Sequence, residues 1–288
     1  MSTHPVPVQL IECPRDAMQG WPKYIPVEKK IQYLNALLQV GFDTLDFGSF
    51  VSPKAIPQLA DTKEVLKGLQ LNSATKLLAI VANVRGAEEA AVFDEITYIG
   101  FPFSVSETFQ LRNTNSTIAE SLKRVEEIQR ICQQSGKHLV IYISMGFGNP
   151  YDDPYSEEIV YHWVNQITAL DVQIISLADT VGLATPDQVF SITNYLINKL
   201  PQHQVGVHLH STPDNRMAKI EAAWRAGCRR FDGALKGIGG CPMAHNDLVG
   251  NIDTEWLISY LEQYEVLPNL NKTALAKSSN LANELFTL

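Results

Sequence analysis

The sequence predicts an α/β protein built as a closed (β/α)₈ (TIM) barrel with an additional C-terminal helix. Short β-branched or apolar runs alternate with longer segments of helical period. Eight such strand-then-helix units occupy roughly 260 residues, the size expected of a closed barrel. No Pro/Gly-rich linker and no low-complexity segment divides the 288 residues, so residues 1–288 read as one domain. The alternative is an open doubly wound sheet. No Gly-x-Gly-x-x-Gly follows a strand, however, and the run Gly237-Ile238-Gly239-Gly240 lacks that spacing.

Val8–Cys13 reads as the first strand. Over Val27–Leu38 the apolar residues Ile31, Leu34, Leu37 and Leu38 share one helix face, and Gly41 sits where a helix should stop. Strands are expected at Thr44–Phe47, Lys76–Ala82, Glu95–Phe101 and Leu139–Ser144. The helices after them are Thr62–Leu69, Ala87–Phe93, Ile118–Gln133 and Glu157–Ala169. Val172–Leu177 is the sixth strand. Its helix, Pro186–Leu200, opens with Thr185 as N-cap and proline in the first turn. Val205–His210 and its helix Asn215–Ala226 form the seventh unit, Arg230–Ala234 and Thr254–Gln263 the eighth. A further helix near Thr273–Leu285 ends the pattern.

Hydrophobic residues make up 45% and charged residues 19%, an ordinary globular balance. The net charge of −8 argues against a general nucleic-acid binder, which needs a basic stripe. The apolar runs are too short to span a bilayer, so no membrane partner is expected. The start Met1-Ser2-Thr3-His4-Pro5 lacks the basic and apolar regions of a secretory signal. Cys13, Cys132, Cys228 and Cys241 have no zinc spacing, and free thiols in a cytoplasmic protein are expected.

In a barrel, chemistry gathers at the C-terminal strand ends. Arg15 and Asp16 follow strand one, Asp46 ends strand two and Asp179 follows strand six. His208 and His210 end strand seven; at i and i+2 of a strand both imidazoles point the same way and can reach one ion. Cys241 lies in the loop after strand eight, with Asn251 before the last barrel helix. Each has a plainer reading. His-x-His occurs in ordinary strands, Arg15-Asp16 can be a local ion pair, Cys241 a small buried hydrophobe, and Asn251 a turn or cap residue. Their convergence on one barrel mouth favours chemistry. One carboxylate, two imidazoles and one amide oxygen suit Mg²⁺ or Mn²⁺, with open positions for a substrate hydroxyl.

Several segments are more specific: Glu12-Cys13-Pro14-Arg15-Asp16-Ala17-Met18-Gln19, Ser49-Phe50-Val51-Ser52-Pro53-Lys54 continuing to Pro57-Gln58-Leu59-Ala60-Asp61, Ser176-Leu177-Ala178-Asp179-Thr180-Val181-Gly182, and Gly239-Gly240-Cys241-Pro242. With His208-Leu209-His210 they give the chain, over about 8–261, a resemblance to the 3-hydroxy-3-methylglutaryl-CoA lyases. These belong to the metal-dependent lyase and Claisen-condensing barrels. The resemblance implies a retro-Claisen cleavage of an acyl-CoA thioester to acetyl-CoA and acetoacetate, dependent on a divalent metal. It implies Asp16, His208, His210 and Asn251 as metal ligands, Arg15 as stabiliser of the thioester enolate and Cys241 as a proton-transfer group on a loop. Gln19, Asp46 and Asp179 would line the site or stand just behind it. A homodimer is expected, because related barrels pair.

The chain departs from that pattern in places. The family usually has glutamate where Asp46 stands. Ser211-Thr212-Pro213-Asp214 replaces an Asp-Thr-Tyr-Gly run, and Arg112-Asn113 replaces a lysine-rich stretch. The loop holding His245-Asn246-Asp247 reads one residue longer than usual and offers Asn246 as an alternative to Asn251. A condensing synthase on the same barrel is the competing enzyme reading, as is a lyase for another 3-hydroxyacyl-CoA. Synthases usually carry a large regulatory extension, which favours the lyase. A metal-stabilised scaffold is the non-enzymatic reading, opposed by the intact Arg15, Asp16, His208, His210 and Cys241.

Overall fold

The computed structural model describes residues 7–240 and 249–287. Eight strands close into a barrel in sequence order: β1 (Gln9–Glu12), β2 (Thr44–Ser49), β3 (Lys76–Ile80), β4 (Ile96–Ser104), β5 (His138–Ser144), β6 (Ile174–Ala178), β7 (Gln204–His208) and β8 (Arg230–Gly233). All pairings are parallel, and β8 returns to β1 through Gln9↔Arg230 to Glu12↔Gly233. The closed barrel, not the open sheet, is therefore the architecture.

Each expected helix is present: α2 (Val27–Leu38), α3 (Thr62–Lys67), α4 (Val84–Ala91), α6 (Ile118–Ser135), α7 (Glu157–Thr168), α8 (Pro186–Lys199), α9 (Arg216–Arg225), α10 (Thr254–Glu262) and the C-terminal α11 (Lys272–Leu285). Thr117 and Thr185 form complete capping boxes with Glu120 and Gln188, so the starts of α6 and α8 have satisfied N–H groups. Two helices were not foreseen: α1 (Pro14–Gln19) and α5 (Glu107–Thr114). α1 has only six residues, too few for a visible period, and Pro14 opens it. α5 is mostly polar, so no apolar stripe marks it.

Two apolar layers hold the fold. The larger lies between strands and helices, where Leu34 and Leu37 of α2, Val125 and Ile128 of α6, Val160 and Val164 of α7 and Ile192 and Leu196 of α8 are buried. A smaller cluster of Leu78, Val140 and Tyr142 lies apart from it. Strand ends differ from expectation where they matter to the mouth. β2 runs on to Ser49, with a register shift between Asp46 and Gly48, so Asp46 is inside the strand rather than at its end. β7 stops at His208, and His210 lies beyond it.

Candidate active site

Pro14 turns the chain straight from β1 into α1, which presents Arg15, Asp16 and Gln19 from one short helix. Beyond β7, Ser211 N donates to Gly250 O and Ile252 N to Leu209 O, so His210 and Asn251 meet in an antiparallel bridge. That bridge brings residues far apart in sequence to one place. Gly239 completes it from the β8 side. At φ +117° it needs glycine, and a Cβ there would meet Asn251 Nδ2 and Asp16.

Asp16, His208 and His210 offer a carboxylate oxygen and two ring nitrogens that all lie within 4.8 Å of one another. All three line a cavity of about 720 Å³ together with Arg15, Gln19, Tyr142, Arg112 and Arg124. The rings of His208 and His210 are 5.4 Å apart between centroids. Nδ1 of His210 is buried without a hydrogen-bond partner among the described residues. A buried carboxylate with two buried imidazoles, all within reach of one point, is a donor set that fits a divalent cation.

Arg15 is clamped by its neighbours. Nε donates to Asp46 at 3.0 and 3.2 Å and Nη2 donates to Asp46 Oδ2 at 2.7 Å. Nη1 donates to Asp16 Oδ1 at 3.1 Å and to Gln19 Oε1 at 2.9 Å. Asp16 also accepts from Gln19 Nε2 at 2.6 Å and Asn251 Nδ2 at 2.7 Å. Burial alone would raise the Asp16 pKa, but Arg15, His208 and His210 outweigh it and hold this carboxyl below its ordinary range. Burial pushes Asp46 up to about 6 despite Arg15. Burial and the neighbouring His208 push His210 down to about 4, leaving a neutral imidazole, the form that binds metals, at pH 7.

The HMGL-like family profile matches residues 8–282. The chain belongs to the HMGL-like family. It is similar to a hydroxymethylglutaryl-CoA lyase of Bacillus subtilis, 31% identical over 274 residues, 94% of this chain and 90% of that one. It is also similar to an (R)-citramalyl-CoA lyase of Chloroflexus aurantiacus, 31% identical over 277 residues, 93% of this chain and 87% of that one. The structure of an HMG-CoA lyase from Acinetobacter baumannii, in complex with coenzyme A and 3-methylmalate, superposes with a TM-score of 0.91 at 33% identity, covering 99% of this chain and 93% of that one.

Other expected residues of this HMGL-like chain stand in distinct positions. Gln19 lines the cavity; Asp46 stands behind Arg15 and reaches the site only through it. Asp179 lies beneath the floor. Its Oδ2 accepts from Lys219 Nζ at 2.7 Å and its Oδ1 from Ala184 N at 3.1 Å. Lys219 donates as well to His210 O at 2.8 Å, so the Asp179 carboxylate reaches the His210 backbone through a lysine, while Asp179 N donates directly to His208 O at 2.9 Å. Asn251 directs its amide nitrogen at Asp16 and at Ile238 O, 2.8 Å away. Turning the amide over would release both Asp16 and Ile238 O. Cys241 and Asn246 lie outside the described residues.

Lys219, Arg230 and Asp232 were missed by the sequence reading. Lys219 sits in a helix that also carries Arg216, Glu221 and Arg225, where a lone lysine reads as one more solvated charge. The pair Arg230 and Asp232 did carry a signal, because two charges at i and i+2 of an interior barrel strand share one face.

Proposed function

We propose that this chain cleaves 3-hydroxy-3-methylglutaryl-CoA to acetyl-CoA and acetoacetate, a carbon–carbon lyase reaction of the retro-Claisen type. The observation that carries the reading is the meeting of Asp16, His208 and His210 on the wall of a cavity that Arg15 also lines, in a barrel whose relatives are hydroxymethylglutaryl-CoA lyases. The ligand set is Asp16, His208, His210 and, with its amide turned, Asn251. These oxygen and nitrogen donors suit Mg²⁺ or Mn²⁺. When bound, such an ion acidifies and orients the substrate's tertiary hydroxyl.

The residues then divide the work. Asp16 or a neighbouring histidine takes the hydroxyl proton. As the carbon–carbon bond breaks, the alcohol carbon becomes the ketone of acetoacetate and the electron pair passes to the acetyl-CoA enolate. A guanidinium has five N–H groups, and the contacts of Arg15 use four, leaving one on Nη2 for the thioester oxygen. Cys241 returns a proton to the enolate carbon to give the acetyl methyl group. Gln19 and Asp46 fix the guanidinium plane, and Asp179 secures the floor. Arg112 and Arg124 supply positive charge to the cavity wall, suited to the phosphates of a coenzyme A thioester. We further propose that residues 1–288 act as one catalytic domain, in a cytoplasmic homodimer. No helix among the described residues is long and apolar enough to cross a membrane.

A second reading, a lyase for another 3-hydroxyacyl-CoA, is favoured by the (R)-citramalyl-CoA lyase relative and by the short Asp46 carboxylate. Purified protein is incubated with Mg²⁺ and either 3-hydroxy-3-methylglutaryl-CoA or citramalyl-CoA, and the released ketone product and acetyl-CoA are quantified. Acetoacetate formed faster than pyruvate supports the first reading; the reverse order supports the second. No cleavage of either thioester rejects both.

A further inference from the structure

His208 and Asp232 are register partners across β7 and β8. The imidazole Nδ1 lies 3.2 Å from Asp232 Oδ2, and Asp232 Oδ1 accepts from Arg230 Nη1 at 2.9 Å. Both Arg230 and Asp232 are buried. Tyr142 closes one side of the imidazole edge-on, with 5.8 Å between ring centroids and 86° between planes. Cys13, His208 and Asp232 have donor atoms within 4.8 Å of one another; burial raises the Cys13 thiol well above its ordinary range, so it stays protonated.

A ring nitrogen facing a carboxylate donates its proton there, and the other nitrogen is then the one with a free lone pair. We propose that Asp232, held in place by Arg230, is the positioning residue for His208: it keeps the proton on Nδ1 and leaves Nε2 as the lone-pair nitrogen facing the Asp16–His210 site. The inference rests on the metal-site reading above but concerns a residue that touches neither cation nor substrate. A merely structural Asp232 would be there to neutralise Arg230 inside the barrel, and the choice of tautomer on His208 would not depend on it. A carboxylate behind a metal-bound imidazole fixes ring orientation and raises ligand basicity, and its removal typically weakens metal affinity about 10–100-fold.

The test is ¹⁵N-histidine NMR of the metal-free protein, taken at a pH above the observed His208 titration, where the ring is neutral and a single tautomer can be read, together with Mn²⁺ titration calorimetry. In the parent, His208 is expected to carry its proton on Nδ1. Asp232→Asn is expected to shift protons to Nε2 and to raise the Mn²⁺ dissociation constant about 10-fold or more. Arg230→Met/Asp232→Leu removes both buried charges together and is expected to give the same two effects with a melting temperature near the parent's. A parent His208 protonated on Nε2 overturns the proposal with no variant needed. A folded variant that keeps both the Nδ1 tautomer and a dissociation constant within about twofold of the parent also overturns it. A parent that binds no Mn²⁺ rejects the metal-site reading instead, and the tautomer measurement still decides the role of Asp232.

Discussion

Arg15 commits four of its five N–H groups to Asp46, Asp16 and Gln19 before any substrate arrives. In the proposed reaction that clamp would hold the remaining donor in place before charge develops. It also makes Arg15 structural, since Asp16 and Asp46 are buried beside it. Arg15→Met is therefore expected to lower kcat/KM by about two to three orders of magnitude and to destabilise the fold by about 3–5 kcal/mol. Steady-state kinetics and denaturant unfolding measure the two effects separately; stability loss with unchanged kcat/KM removes Arg15 from the chemistry. Cys241→Ser is expected to slow turnover at an unchanged melting temperature, because serine keeps the size but is a far weaker acid than a thiol. A lower melting temperature with parent kinetics would mark Cys241 as a packing residue.

Among the elements, β1 is stitched to the segment that joins β8 to α10. Glu12 Oε1 accepts from Leu235 N at 2.8 Å, and Oε2 accepts from the Thr254 hydroxyl at 2.6 Å. One side chain thus secures both stems of the stretch that carries Gly239, Cys241 and Asn251. Burial pushes the Glu12 carboxyl up to about 8. The folded state therefore holds a proton that the unfolded chain releases near the ordinary glutamate range. Its contribution to stability is present below that range and is lost as pH rises through about 8. Glu12→Gln mimics the protonated acid, so its melting temperature relative to the parent is expected to rise between about pH 5 and pH 9. A difference that stays constant across that interval rejects the raised carboxyl.

For the whole molecule, α11 packs on α2 outside the eight repeated units. Phe286, just after α11, meets Trp21 and Tyr33 edge-on at 5.2 and 6.1 Å. It covers the turn that follows α1, so the C-terminal end of the chain's last helix packs against the segment that carries Arg15 and Asp16. Phe286→Ala is expected to cost about 3 kcal/mol in denaturant unfolding, the usual penalty for an emptied aromatic site. A loss under about 0.5 kcal/mol would show that Phe286 does not brace this corner.

The barrel was legible because its signals are local: apolar periods, Thr117 and Thr185 at helix starts, and the alternation of units need only neighbouring residues. The residue types of the site were legible for a similar reason, since His208 and His210 sit two apart and Arg15 adjoins Asp16. What those side chains face is not local. Asp232 lies opposite His208 only because β7 and β8 adopt that register, and Lys219 of α9 meets Asp179 across 40 positions. Asp46 meets Arg15 across 31 positions, and Asn251 meets Asp16 across 235. Sequence alone determined the architecture and named the chemistry-bearing groups, because periodicity and residue type are properties of short stretches. Tertiary structure decided which groups line the cavity and which ones hold them, because barrel closure and register set the distances between residues remote in the chain.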